Sequence, residues 1–492
     1  MNNIVYLAVQ NKSHIFMLIS MIIYVLFGLV ASKYNFVVIF ALVLVFIGLF
    51  LLTRPVWIMW SILFMGLLVV GPIPMMEEGL DSKAAYPAQI LSFCLLLIAA
   101  YKVVTTSSTY QGTPSFIWAI LCFIVYTILS SMGNFYSLIE FAGGFKRDFQ
   151  MWGILFALCW LDFDERNIHR WLMFFLIVAL IQWLFVLYEL VAIVPLREGF
   201  RDSFPGMVPI DAVAGTFGAT IYGGGNSGDM TSFLIIIMGF LLARKLENTL
   251  STRGLVQLSL WVLAPLFMGE TKVVIIMLPL MLLTLYRREL LANPHYALLG
   301  VIGGGFLMMG AGLAYVYAMH MSSISELYEA TLSYNTGEEG YGSYFLNRTT
   351  ALTFWLQNQG ASDPISFIFG NGLGSVYDRQ GHIDLHFPRY GVGLSAVSTM
   401  LWETGLFGCF LLITVFILAW RAAGRLYRES TEAIVRADAS AIQVALVLFS
   451  FHLFYTKSLL EATPFQIVFA SVLGYLAWLY RRHAVLILEF RS

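Results

Sequence analysis

The stretch WLMFFLIVALIQWLFVLYELVAIV, from Trp171 to Val194, decides the fold class. An α-helix needs roughly twenty mainly apolar residues, at about 1.5 Å each, to cross about 30 Å of hydrocarbon. This segment has that length, and Leu298 to Tyr317 and Ala396 to Trp420 are of the same kind. Composition agrees: 59% of the 492 residues are hydrophobic, 12% are charged, and the mean hydropathy is +0.80. A soluble core cannot absorb that much apolar side chain, whereas a bilayer can. The formal net charge of -1 leaves no basic footprint for nucleic acid.

Read in order, the apolar runs place helices near 15–31, 35–52, 56–71, 88–104, 115–132, 149–161, 170–194, 230–243, 254–268, 272–286, 296–319, 396–420, 440–457 and 463–480. The expected fold is therefore an all-α polytopic membrane protein of about fourteen transmembrane helices. Those at 149–161, 230–243, 254–268 and 272–286 are short for a full crossing, as tilted, broken or bundle-buried helices are. The run near the N-terminus lacks a small-x-small cleavage site and is read as a retained first helix.

Lys and Arg concentrate in cytoplasmic loops. With Lys12 inside, Arg54, Lys102, Arg166, Arg170, Arg244, Lys245, Arg253, Arg287, Arg288, Arg421, Arg425, Arg428, Arg481 and Arg482 all fall on the same side. Both termini are then cytoplasmic, and three long loops lie outside: 133–148, 195–229 and 321–395. The last is the only sizeable polar insertion, and long loops on a rigid scaffold are where function concentrates. The chain reads as a single transmembrane domain, 1–492, capped by that loop.

Cations on the outer side run against the charge rule: Lys83, Lys146, Arg147, Arg197, Arg201, Lys272, Arg348, Arg379, Arg389 and Lys457. Guanidinium groups gathered at a membrane face suit phosphate or pyrophosphate, because arginine offers a planar fork of donors and stays charged. The plain alternative is pairing with loop carboxylates or snorkelling to headgroups. Lys272 interrupts an apolar stretch within Gly269-Glu270-Thr271-Lys272, and a charge at that depth is a functional candidate. His382 and His386 flank Asp384 in the large loop. No further ligand cluster accompanies them, so a general base rather than a metal site is expected. The four cysteines lie in or beside apolar segments with no CxxC spacing, which gives no disulfide or metal reading. Asp162-Phe163-Asp164-Glu165 reads as a solvated turn, and Gly370-Asn371-Gly372-Leu373-Gly374 as a tight turn rather than a phosphate cradle.

Several motifs occur in a set order: Gly215-Thr216-Phe217-Gly218 then Asn226, the Thr271-Lys272 turn, and Asn347-Arg348 running to Trp355. Phe369 to Gly374 and then Leu401-Trp402-Glu403-Thr404-Gly405-Leu406-Phe407-Gly408 complete the series. In this order and loop placement the chain resembles the O-antigen ligase and O-antigen (exopolysaccharide) polymerase family over roughly residues 200 to 420. The resemblance implies a glycosyltransferase of the bacterial inner membrane with a large periplasmic loop. Such an enzyme transfers glycan from a polyprenyl-pyrophosphate carrier, with a flippase and a chain-length regulator as partners. It also implies roles: Arg348 engages the pyrophosphate, Lys272 is the basic residue of the earlier turn, and Glu403 is the acid opening the helix after the loop. The family's His-Asn pair shortly before that Glu is replaced here by Leu394-Ser395, with His386 further upstream, which leaves His386 and Glu403 as alternative bases.

A glycan on pyrophosphate already carries its leaving group, so the protein need only align two substrates, neutralise the departing charge and remove a proton. Arg348, supported by Lys272, Arg201 and Arg389 with His382 nearby, is the expected clamp; no metal or cofactor is required. The expected activity is repeat-unit polymerisation with inversion at the anomeric carbon, and the alternatives are ligation to lipid A-core or protein and transport of a lipid-linked glycan. A metal-dependent, polyprenyl-monophosphate enzyme would use outer acidic residues such as Glu77, Glu78 and Asp81.

Overall fold

The structure, a computed structural model, describes residues 53–73, 84–106, 112–200, 210, 213–219, 225–269, 273–293, single positions between 295 and 329, 346–376 and 391–489, with side chains to 483. The chain divides into a unit of residues 1–58, of which only 53–58 are described, and a unit of residues 59–492. The expected spans 15–31 and 35–52, and most of 296–319, lie outside the described residues.

The described elements are helical, and an isolated bridge between Ala219 and Gly225 is the one β feature among them. In chain order they are α1 (Pro55–Phe64), α2 (Tyr86–Thr105), α3 (Ser115–Gly133), α4 (Leu138–Phe149), α5 (Trp152–Trp160), α6 (Glu165–Tyr188), α7 (Val194–Glu198), α8 (Ser227–Leu246) and α9 (Thr252–Met268). There follow α10 (Val274–Leu285), α11 (Arg287–Ala292), α12 (Arg348–Gln359), α13 (Pro364–Phe369), α14 (Ala396–Glu429), α15 (Ala433–Tyr455), α16 (Ser458–Glu461) and α17 (Thr463–Glu489). A π turn, Glu189–Ile193, joins α6 to α7. Among the described residues, six helices are long and apolar enough to cross a membrane: α2, α3, the α6–α7 rod, α14, α15 and α17. The chain is thus an all-α membrane protein.

Depth in the bundle follows burial. The apolar window of α17 is 83% buried and that of α15 is 67% buried, against 28% for α2, so α15 and α17 form the interior and α2 lies at the rim. Apolar side chains such as Ile90, Leu97, Val104 and Leu129 stand fully outward on α2 and α3, the coat that lipid tails solvate. α8 and α10 pack on α15, α14 packs on α15 and α3, and α5 is gripped between α2 and α17. Every residue of α5 is buried, which accounts for its shortness. Gly153 permits this, since a Cβ there would sit 1.8 Å from the Ser92 carbonyl oxygen.

Two boundaries differ from the hydropathy reading. α14 continues to Glu429 and α15 starts at Ala433, well beyond the apolar runs ending at 420 and beginning at 440. Hydropathy marks hydrocarbon, whereas a helix ends where its caps are, and this one goes on through Arg421, Arg425 and Arg428. The 133–148 segment is not bare loop: Ser137 accepts from the Glu140 amide and starts α4. Likewise, the segment 321–395 contains the helices α12 and α13.

Candidate functional site

Asn347 opens α12 with a capping box: its side chain accepts from the Thr349 and Thr350 amides at 3.0 and 2.7 Å, while Thr350 Oγ1 accepts from the Asn347 amide. That cap fixes Arg348 as the first helical residue. Its Nε donates to the carbonyl of Tyr455 at 2.6 Å, and its guanidinium lies 4.7 Å from the centre of the Tyr455 ring. Tyr455 is the last residue of α15, so the loop cation is planted on the end of the central helix. The ring also lies against Gly228, where a Cβ would come 2.8 Å from Tyr455 Cε1.

Behind that ring is a sealed polar cluster. His452 of α15 and Asp229 of α8 are 0% and 1% exposed, with His452 Nε2 2.8 Å from Asp229 Oδ1. His452 Nδ1 faces Ser232 Oγ at 3.1 Å, and Nε2 faces Thr456 Oγ1 at 3.1 Å. Ser232 also donates to the Gly228 carbonyl at 2.7 Å, and the Thr456 and Ser458 hydroxyls are bonded to each other at 2.9 Å. Ionisable groups inside a membrane bundle are expensive, so such a pair is a functional site by default.

The motif Gly215-Thr216-Phe217-Gly218 holds α8 in this place. Glu189 Oε2 accepts from the Ala214 and Gly215 amides at 2.9 and 2.8 Å, and Gln182 exchanges bonds with Thr216 at 2.6 and 2.9 Å. Asn226 then donates from its amide to Gly218 O and from Nδ2 to Phe217 O. The buried turn is thereby tied to α6 on one side and delivers the start of α8, with Asp229, on the other.

Glu403 is held elsewhere. It is 1% exposed, and its Oε1 accepts from Arg147 Nη2 at 2.5 Å and from the Gly374 amide at 3.1 Å. Arg147 Nε also donates to Asp148 at 2.9 Å. Burial by itself would lower the Arg147 pKa, but the Glu403 and Asp148 carboxylates more than offset this and hold it well above the usual arginine range. Burial pushes Asp148 up, opposed by Arg147.

The glycine stretch explains why Glu403 sits there. α14 is broken at Gly405, whose φ of 64° and ψ of -169° are open to glycine alone. The break orphans the carbonyls before it. Each is met from outside: Leu401 by Trp355 Nε1, Trp402 by the Asn371 amide and Nδ2, Glu403 by the Gly372 amide, and Thr404 by the Tyr126 hydroxyl. Gly370, Gly372 and Gly374 all have positive φ, and a Cβ on Gly374 would lie 2.2 Å from the Glu140 carbonyl oxygen. The stretch is a turn, as expected, and also a splint for a broken helix.

Of the site residues expected from sequence, Arg348, on Tyr455, and Glu403, on Arg147 and Gly374, are described; Lys272, Arg201, Arg389, His382 and His386, with Arg379, lie outside the described residues. Lys146 stands over the Tyr86 ring and Lys457 pairs with Glu461 at 3.0 Å, so neither joins Arg348. Arg147, read as an outer cation for an anionic ligand, is a buried counter-ion instead, because two carboxylates enclose it. The cysteines are free, and no group of metal-ligating side chains occurs among the described residues. Asp229, His452, Gln182 and Glu189 escaped the sequence reading; their signal is a polar residue inside or at the edge of an apolar span. No protein-family model matches the chain, and no curated protein matches it.

Proposed function

We propose that this protein is a polysaccharide repeat-unit polymerase that moves a growing glycan from a polyprenyl-pyrophosphate donor to a lipid-linked acceptor at the periplasmic face of a bacterial inner membrane. The reading includes about fourteen spans, cytoplasmic termini and a large periplasmic loop. Its main support is the placement of Arg348: a half-buried guanidinium from the large loop, braced on the carbonyl and ring of Tyr455 at the end of α15. A guanidinium set in place by such bracing is the kind of group that suits a pyrophosphate, because it stays charged and is a planar donor. The order of motifs from Gly215 to Gly408 supports the same reading. Of the two bases expected from sequence, Glu403 is engaged by Arg147.

The test is deletion in the native host, with surface polysaccharide and lipid-linked intermediates run side by side and wild-type or Arg348→Ala complementation. Polymerase activity yields single repeat units in place of long polymer, at unchanged protein level. Long polymer stranded on the carrier lipid indicates ligation instead, and normal polymer from Arg348→Ala removes the clamp. A second reading, transport of a lipid-linked glycan, draws on the buried Asp229–His452 pair, since proton-coupled carriers use such pairs. It requires repeat units to accumulate on the cytoplasmic leaflet.

A further inference from the structure

We propose that Asp229 and His452 form a buried proton-accepting pair that removes the acceptor's hydroxyl proton through Thr456. The proposal rests on the polymerase reading and gives it a base other than His386 or Glu403.

The carrying observation is a shared peptide group. Arg348 is bonded to the carbonyl of Tyr455, and the next residue is Thr456, whose Oγ1 is 3.1 Å from His452 Nε2. The leaving-group clamp and the outer end of the polar cluster thus stand on adjacent residues. Thr456 is half-buried, whereas His452, Asp229 and Ser232 are sealed, so the hydroxyl is the link between the pair and the outside.

The hydrogen-bond inventory fits a proton-loading site. With the imidazole neutral, Nδ1–H donates to Ser232 Oγ, Ser232 donates to the Gly228 carbonyl, and the Nε2 lone pair accepts from Thr456. Once protonated, Nε2–H donates to Asp229 Oδ1 at 2.8 Å, and the Ser232 arrangement is unchanged. In the neutral state the Nε2 lone pair and Asp229 Oδ1 face each other at 2.8 Å with no proton between them, and a proton taken up by Nε2 turns that contact into a hydrogen bond. Asp229 Oδ2 is buried with no hydrogen-bond partner among the described residues, and the His452 ring is the compensation they offer that carboxylate.

The groups facing His452 are few. α8 contributes Asp229 and Ser232, α10 contributes Met277 through Ser232, and α17 contributes the Phe465 ring at 4.3 Å. On its own helix end stand Tyr455 and Thr456, with Arg348, Lys457 and Glu461 beyond them.

In the step itself, an electron pair of the acceptor oxygen forms the new bond to the anomeric carbon. The bond from that carbon to the pyrophosphate oxygen breaks, and its electron pair leaves on the pyrophosphate held by Arg348. The acceptor's proton moves to Thr456 Oγ1 as the Thr456 hydroxyl proton moves to His452 Nε2. The proton then returns along Thr456 and Ser458 to water.

The experiment uses the full chain in its native host, with the chromosomal copy deleted and variants matched for membrane level. Polymer formation is followed in right-side-out spheroplasts between about pH 5 and 9, the range over which an imidazole titrates. Wild type rises with pH through a midpoint. Thr456→Val, which keeps the shape and removes the hydroxyl, lowers the rate by about a hundredfold, the lower bound for loss of general-base help. Thr456→Ser restores most of that rate, and His452→Gln and Asp229→Asn lose both rate and midpoint. If Thr456→Val and His452→Gln polymerise with the wild-type rate and profile while Arg348→Ala is inactive, the relay is overturned and the polymerase reading stands. If Arg348→Ala leaves polymer unchanged, the clamp and the relay built beside it fall; if the deletion does, the polymerase reading falls with them.

Discussion

Glu403→Gln separates a catalytic carboxylate from a structural one. Glu403 Oε1 is 2.5 Å from Arg147 Nη2 and 3.1 Å from the Gly374 amide. Glutamine keeps an acceptor oxygen at that point, and Arg147 keeps Asp148 at 2.9 Å. The loss is a charge-assisted bond turned neutral, about 1–2 kcal/mol. Arg147→Met is harsher, because it leaves the Glu403 and Asp148 carboxylates together in one desolvated space, at a cost of about 3–5 kcal/mol. At about 2.1 cal/mol/K of unfolding entropy per residue, a chain of this size shifts its midpoint by about 1 °C per kcal/mol. The expected shifts are therefore about 1–2 °C for Glu403→Gln and about 3–5 °C for Arg147→Met. The double variant should lose less than the sum, because the two share one contact. Differential scanning of the protein purified in detergent reads the midpoints, and polymer length in the host reads activity. Glu403→Gln should make normal polymer. A variant with a wild-type midpoint and no polymer would place Glu403 on the substrate and refute the structural assignment.

Gly405→Ala should cost about 3 kcal/mol or more, combining a glycine-only backbone with a Cβ 2.4 Å from the Ile368 carbonyl oxygen; size-exclusion yield after extraction checks it. Asp438→Asn should lower the unfolding midpoint, because Asp438 is sealed and accepts from Arg244 at 3.0 and 3.1 Å and from Tyr475 at 2.7 Å; the expected loss is about 2–4 kcal/mol. Thr353→Cys should react with a membrane-impermeant maleimide in intact cells, and Ser251→Cys only after permeabilisation; the opposite pattern would invert the topology. Chelation of divalent metal should leave polymer synthesis in spheroplasts unchanged, and its loss would favour the metal-dependent type of enzyme.

The long spans were legible because a bilayer demands unbroken apolar runs, and α2, α3 and α17 begin within a few residues of where hydropathy puts them. Arg348 stood out in the sequence as a cation against the charge rule, but the cap at Asn347 that makes it the first residue of α12 was not read there. The roles of Glu403 and Arg147 were not, since these residues meet across 256 positions and each alone looks like a free ion. Asp229 and His452, 223 positions apart, are equally silent in sequence. α4 was hidden because its twelve residues mix two glycines with four charges, and only Ser137 announces it.

The splint at Gly405 bears on how the molecule is put together. The glycine stretch 370–374 precedes α14 in the chain and supplies amides to carbonyls that α14 cannot satisfy by itself. During synthesis that stretch must be in position before the following helix can settle against α3 and α15. The segment between α10 and α14 is therefore not an interchangeable cassette: grafting its counterpart from a distant homologue would remove a strut of the membrane bundle along with any change in substrate choice.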